Sequence, residues 1–193
     1  MNLFKKFLKY SNTTKLQKII RIYLATNLKV SQKVKNLRQI FNALDKTGKG
    51  EISFSNLESM SSQLMNVLDI NKEKLLKIFK SIDINKTGYV EYSEFLAAGL
   101  DVMLINEDKN IDMVFDFLDS DKDGYVKSSD LAKIFKGNFG RMSIDSNSIM
   151  EELHCNPNDK ISKKEFLTAV QRMIRRENSI FVMSNEEEEI FDF

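Results

Sequence analysis

Apolar residues recur along this chain at spacings of three and four, and the recurrence stops and restarts. Val34, Leu37, Phe41 and Leu44 form one stripe, and Leu75, Phe79 and Ile82 form another. Ile111, Val114 or Phe115, and Leu118 form a third, while Phe166, Val170, Met173 and Ile174 form a fourth. Such spacing puts side chains on one face of an α-helix, so each stripe predicts a helix with one buried side. Polar stretches interrupt the helices, beginning at Asp45, Asp83, Asp119 and His154, which are 38, 36 and 35 residues apart. A repeat of that period predicts one helix–loop–helix unit used four times, and an almost all-α chain. Each stretch holds one isolated branched apolar residue at its eighth position: Ile52, Val90, Val126 and Ile161. These are expected to pair in twos across short β-bridges, making two lobes at 31–104 and 105–176 that connect near 101–110.

The polar stretches carry the candidate chemistry. In the second, Asp83-Ile-Asn85-Lys-Thr87-Gly88-Tyr89-Val90-Glu91-Tyr-Ser-Glu94, side-chain oxygens stand at positions 1, 3, 5, 9 and 12. The Tyr89 carbonyl adds another at position 7, and Gly88 sits at position 6, where the chain must turn sharply. This is the ligand spacing of an EF-hand calcium loop, in which the terminal glutamate supplies two oxygens to an ion that wants six to eight. The expected fold is therefore four EF-hands in two calmodulin-like lobes.

The third stretch offers Asp119, Asp121, Asp123, the Tyr125 carbonyl and Asp130. Its last ligand is one methylene short of a glutamate, so two-oxygen capture requires the loop to contract. That weakens calcium or admits magnesium, which prefers six tighter contacts. Lys127 at position 9 removes a further ligand and brings a like charge near the cation.

The outer stretches read as damaged copies. The first keeps Asp45, Gly50 and Ile52, but Lys49 replaces an oxygen at position 5, Thr47 is a neutral third ligand and Asn56 ends the loop. The fourth starts with His154, carries Pro157, and has Asp159 where glycine belongs. Its Glu165 is accounted for by Ser162-Lys-Lys-Glu165, a helix capping box. Both loops are expected to hold no ion, which leaves two calcium sites, 83–94 and 119–130. His154 beside Cys155 lacks the two further ligands a zinc site needs.

Composition adds limits. With 42% hydrophobic and 30% charged residues, the chain reads as an ordinary soluble protein. No apolar run approaches a membrane span, no secretory leader is read, and Met1-Asn2 does not match a myristoylation start. The single cysteine, Cys155, suits a reducing compartment, so a cytoplasmic location is expected. The net charge of +1 conceals an asymmetry. Residues 1–44 contain no acidic side chain, whereas 177–193 carry Glu177, Glu186 to Glu189 and Asp192 and no basic one. The second block reads as an acidic tail.

Ahead of the first hand, Phe4-Lys5-Lys6-Phe7-Leu8 is followed by Leu16, Ile19, Ile20, Tyr23, Leu24 and Leu28, a continuous helical stripe with basic remaining faces. A basic amphipathic helix of this kind suits the groove of a calmodulin-type lobe, an anionic membrane surface, or simple packing on the first lobe. The run Leu3-Phe4-Lys5-Lys6-Phe7, then Lys15-Leu16-Gln17-Lys18, then Leu37-Arg38-Gln39-Ile40-Phe41 and Leu44-Asp45, resembles the junction of calcium-dependent protein kinases. The resemblance extends from residue 1 to about 176. It implies that residues 1–30, with Lys5, Lys6, Lys9 and the Leu16 to Leu24 stripe, form a junction helix that inhibits a kinase domain at rest. Calcium then rearranges the regulatory region and frees the active site. The degenerate first and fourth hands depart from that family's fuller pattern.

Catalysis by this chain is not expected. Its sole histidine is followed by Cys155 rather than by Arg-Asp, and Asp116-Phe117 is followed by Leu118 rather than glycine. The partner implied is a kinase catalytic domain, with grooves lined by Phe95, Met103, Met113 and Met150 exposed on calcium binding. A stand-alone sensor of calmodulin or calcineurin-B-like type, and a calcium buffer, are the competing readings. No nucleic-acid module accompanies the basic segment.

Overall fold

A computed structural model describes residues 3–27, 32–65, 70–101, 105–138, 145–156 and 158–189. Leu28, Met103 and Pro157 lie outside them, as do the side chains of the acidic run Glu186 to Glu189. The elements are α1 (Leu3–Ser11), α2 (Lys15–Asn27), α3 (Gln32–Leu44), β1 (Glu51–Ser53), α4 (Phe54–Met65), α5 (Lys72–Ile82), β2 (Tyr89–Glu91) and α6 (Tyr92–Gly99). They continue as α7 (Asp108–Leu118), β3 (Tyr125–Lys127), α8 (Ser128–Asn138), α9 (Ser146–Glu152), β4 (Lys160–Ser162) and α10 (Lys163–Glu189).

The two-residue period of the short strands puts one apolar side chain per strand into the core. Antiparallel β1 and β2 register Ile52 against Val90, and β3 and β4 register Val126 against Ile161. All four are at most 2% exposed, which is the pairing in twos that the repeat predicts. Each bridge ties two helix–loop–helix units together at their loops, so the loops cannot move independently of one another.

The chain divides into two compact units: Met1–Ser11 with Arg21–Asp101, and Asn12–Ile20 with Val102–Phe193. The segment ahead of the first hand is two helices rather than one. Ser11 turns its hydroxyl onto the Leu8 carbonyl at 2.7 Å as α1 ends. Thr14 and Gln17 then form a reciprocal cap at the start of α2, each side-chain oxygen accepting the other residue's amide N–H at 3.0 and 3.3 Å.

In the first unit, α1 is part of the core. Phe4, Phe7 and Tyr10, spaced by three on one face, are each at most 1% exposed. Phe7 meets Phe95 edge-on at 5.4 Å, Phe95 meets Phe41 at 5.4 Å, and Phe41 meets Tyr92 at 5.1 Å, a geometry the ring quadrupoles favour. Lys6 donates to the carbonyl of Gly99 at 3.0 Å. A Cβ on Gly99 would fall 2.6 Å from the Leu37 side chain, so the end of α6 needs a glycine to pack so closely. The buried Arg21 lies over the Tyr10 ring at 5.6 Å.

In the second unit, Leu16, Ile19 and Ile20 of α2 are buried, as are Phe115 and Phe166, whose rings lie 5.7 Å apart. The free amides at the start of α2 are capped from a distance in sequence. Glu152, at the end of α9, accepts from Lys15 N–H at 3.2 Å and Leu16 N–H at 2.8 Å. Negative charge there also suits the positive end of the helix. Gln17 donates to the buried Glu177 at 2.9 Å.

Truncating a fully buried aromatic removes its burial energy and leaves a cavity. Phe7→Ala should therefore destabilise the first unit by about 3–5 kcal/mol in urea denaturation. A loss below about 1 kcal/mol would show that α1 contributes little to that core.

Candidate metal centre

The second loop folds around its own carboxylates. Asp83 caps the end of α5, and its two oxygens accept the amides of Thr87 at 3.0 Å and Gly88 at 2.9 Å. This turn takes the backbone through the left-handed region at Gly88 (φ 84°), which only glycine enters without strain. Asn85 Oδ1 also faces the Thr87 amide, and the Thr87 hydroxyl donates to the Tyr89 carbonyl at 3.1 Å. Oxygens of positions 1, 3, 5 and 7 are thus gathered by local hydrogen bonds.

Glu94 joins the two ends of that loop. One oxygen accepts from Glu91 N–H at 2.9 Å, and the other accepts from Ile84 and Asn85 N–H at 3.0 and 3.3 Å. The residue is 1% exposed. Burial pushes its carboxyl up to about 7, against the lowering effect of these amide donors. Glu91 side chain reciprocates by capping α6.

The third loop repeats the turn with more charge. Asp119 accepts from Asp123 N–H at 3.2 Å and Gly124 N–H at 2.9 Å, with Gly124 at φ 87°. Asp119, Asp121 and Asp123 each place an oxygen within 4.8 Å of the others. Among the described residues this is the one such group of His, Cys, Asp or Glu side chains, and hard oxygens at that spacing suit a divalent cation. Asp130 is fully buried; it accepts the Ser120 hydroxyl at 2.7 Å and Lys127 N–H at 3.1 Å. The Lys127 ammonium reaches Asp121 at 3.0 Å and Asp123 at 2.5 Å. Hydrogen bonds with Asp123 and then Asp121 raise its proton affinity well above that of an ordinary lysine.

The outer loops make local hydrogen bonds of their own. Asp45 accepts from Gly50 N–H at 2.7 Å and the Thr47 hydroxyl at 3.0 Å, so the first loop keeps the turn. Burial works against charge at Asp45, but the donors of Gly50, Thr47, Gly48 and Lys49 outweigh it and lower its pKa. Asn56 gives its carbonyl oxygen to Ser53, accepting its amide at 3.1 Å and its hydroxyl at 2.5 Å. In the fourth loop Glu165 accepts the same pair from Ser162, at 2.9 and 2.6 Å, and these donors, the hydroxyl first, lower its pKa. His154 takes the left-handed conformation (φ 60°) just after α9, with its N–H on the Glu151 carbonyl at 2.9 Å. It is a helix stop, so the position that opens the fourth loop by count also ends α9. Asp159 is spent on Asn156, accepting its amide at 2.7 Å.

The EF-hand domain pair family matches residues 34–98, and a second EF-hand domain pair family matches 97–136. This chain carries paired EF-hands. Over 167 residues it is 28% identical to calcium-dependent protein kinase 4 of Plasmodium berghei, taking in 81% of this chain and 31% of that protein. The figures are 27% over 169 residues for calcium-dependent protein kinase 4 of Plasmodium falciparum, with 81% and 31% covered. For calcium-dependent protein kinase 13 of Arabidopsis thaliana they are 25% over 167 residues, with 86% and 29% covered. The EF-hand chain is thus homologous to the C-terminal regions of these kinases, and it spans under a third of their length.

Two contacts escaped the sequence. Ser120 holds Asp130 from loop position 2, which carries no motif signal, and Glu152 caps α2 from 136 residues away. Neither has a periodicity or spacing by which to find it.

Because Glu94 has a folded-state pKa above its ordinary 4.5, charging it costs stability when no cation is present. That stability is fully present below about 4.5 and is lost as the pH rises through about 7. In EGTA, denaturation at pH 5 and pH 8 should show the wild type losing about 2–3 kcal/mol more than Glu94→Gln. Identical losses would mean that Glu94 ionises there as freely as in the unfolded chain.

Proposed function

We propose that this chain is the calcium-sensing regulatory portion of a calcium-dependent Ser/Thr protein kinase, acting on a catalytic domain of the same parent protein. Homology to the C-terminal regions of such kinases over most of the chain supports it. In this reading Asp83, Asn85, Thr87, the Tyr89 carbonyl, Glu91 and Glu94 hold one ion. Asp119, Asp121, Asp123, the Tyr125 carbonyl and Asp130 hold the other, with magnesium admitted there. The first and fourth hands act as scaffolds. No helix among the described residues is long and apolar enough to cross a membrane; the proposed setting is the cytoplasm.

One observation carries the regulatory part. Glu94 is followed directly by Phe95, and Phe95 is the ring against which Phe7 of α1 packs at 5.4 Å. A bound cation supplies a positive centre that loop oxygens share. The residues then do the mechanical work. If Glu94 leaves the amides of Ile84 and Asn85, the first turn of α6 shifts, and the Phe95 ring shifts with it. The seat of Phe7 changes, and α1 with Lys5 and Lys6 is repositioned. In the parent kinase that rearrangement relieves inhibition, with the stripe Leu16, Ile19, Ile20, Tyr23 and Leu24 belonging to the same junction segment. The requirement for an ionised Glu94 makes the second hand respond less at acidic pH.

Calorimetric titration with calcium, with and without magnesium, should count two ions, and Glu94→Gln should remove the tighter event. A count of four, or an unchanged titration in the variant, overturns the site assignment. Mapping the transcript upstream should reveal a kinase core in frame; an authentic start at Met1 without one favours a stand-alone sensor.

A further inference from the structure

The third hand carries a positive charge of its own where its ligands converge. Lys127 leaves the loop from β3, where its own amide is fixed on Asp130 Oδ2 at 3.1 Å. Its side chain turns back across the loop, and the ammonium sits 3.0 Å from Asp121 Oδ2 and 2.5 Å from Asp123 Oδ2. These are the carboxylates of positions 3 and 5, the two that cluster with Asp119. A second ammonium, that of Lys133, stands 3.9 Å from Asp130 Oδ1 at position 12. The second hand has no equivalent, since its positions 3 and 5 are the neutral Asn85 and Thr87 and its position 9 is Glu91.

Four carboxylates in one short loop repel each other when no cation is bound, and Lys127 relieves that repulsion at two of them. A divalent ion that takes oxygens from Asp121 and Asp123 must break both contacts and tolerate the displaced ammonium nearby. The three side chains are 30%, 40% and 43% exposed, so water screens the contacts and an ion can displace the lysine. We propose that Lys127 is a tethered competitor for the cation position of the third hand, and that it sets this hand to fill later than its loop carboxylates alone would dictate. The inference rests on the reading of 119–130 as a cation site. It assigns Lys127 an affinity-setting role toward divalent ions in general, distinct from the mere lack of a ligand at position 9.

Calcium chloride titration of the full chain, followed by NMR at two backbone amides, tests it. Gly124 N–H, held on Asp119 Oδ2 at 2.9 Å, reports the third hand, and Gly88 N–H, held on Asp83 Oδ2 at 2.9 Å, reports the second. Lys127→Met, which removes the charge without adding an oxygen ligand, should lower the Gly124 midpoint roughly three- to thirty-fold, the range that two part-exposed ion pairs allow, and leave the Gly88 midpoint in place. Lys127→Arg, which keeps the charge, should stay within about twofold of the wild type. Equal Gly124 midpoints in wild type and Lys127→Met, or the same gain from Arg as from Met, overturn the inference alone. A Gly124 amide that responds in none of the three proteins overturns the cation site itself and the inference with it.

Discussion

Glu94 binds the two ends of one loop to each other from inside the core. Its oxygens are shared between the amide of Glu91 on one side and those of Ile84 and Asn85 on the other. A carboxylate costs a great deal to bury unless its charge is met, and here amide dipoles meet it only in part. The first unit therefore contains a carboxyl that holds its proton to higher pH than an ordinary glutamate, and in the proposed reading gives that proton up to a cation. Every consequence proposed for the second hand follows from that cost.

Position links that cost to the packing of α1. Glu94 lies in the first turn of α6, whose next residue, Phe95, lies between Phe7 of α1 and Phe41 of α3 in a run of edge-on rings. Close packing leaves these rings little room, so under the proposed function a shift of the α6 start would be felt at α1. The Gly99 end of α6 is equally tight, with Leu37 against its Cα and Lys6 on its carbonyl. The third hand lacks that arrangement. Its closing carboxylate, Asp130, is buried too, but Ser120 and Lys127 hold it, and lysine charge already neutralises part of the loop. The two hands thus differ in how their closing carboxylates are held.

The loops show where sequence reasoning works well. Asp83, Gly88 and Glu94 are legible because each performs a task that its own neighbours define within twelve residues. The β-bridges were legible for the same reason: one branched residue per loop had to be buried, and Ile52 with Val90 and Val126 with Ile161 are. The fourth loop was harder. His154 occupies a position that opens a loop by count, yet its conformation ends α9, and Asp159 caps Asn156. A residue type does not say which of two local hydrogen-bond patterns prevails.

By itself, then, the sequence determined the four repeats, their pairing in twos, the calcium-loop spacing at 83–94 and 119–130, and the loss of that spacing at 45–56 and 154–165. These depend on contacts between residues close along the chain, where spacing translates directly into geometry. Only the tertiary structure decided what the N-terminal segment is: two helices, with Phe4, Phe7 and Tyr10 sealed in the core of the first unit and the start of α2 capped by Glu152 of the second. An amphipathic stripe says that a face must be covered but not by what, because burial is non-directional and many surfaces satisfy it. Long-range packing makes that choice, and here it places α1 against the residue that follows Glu94.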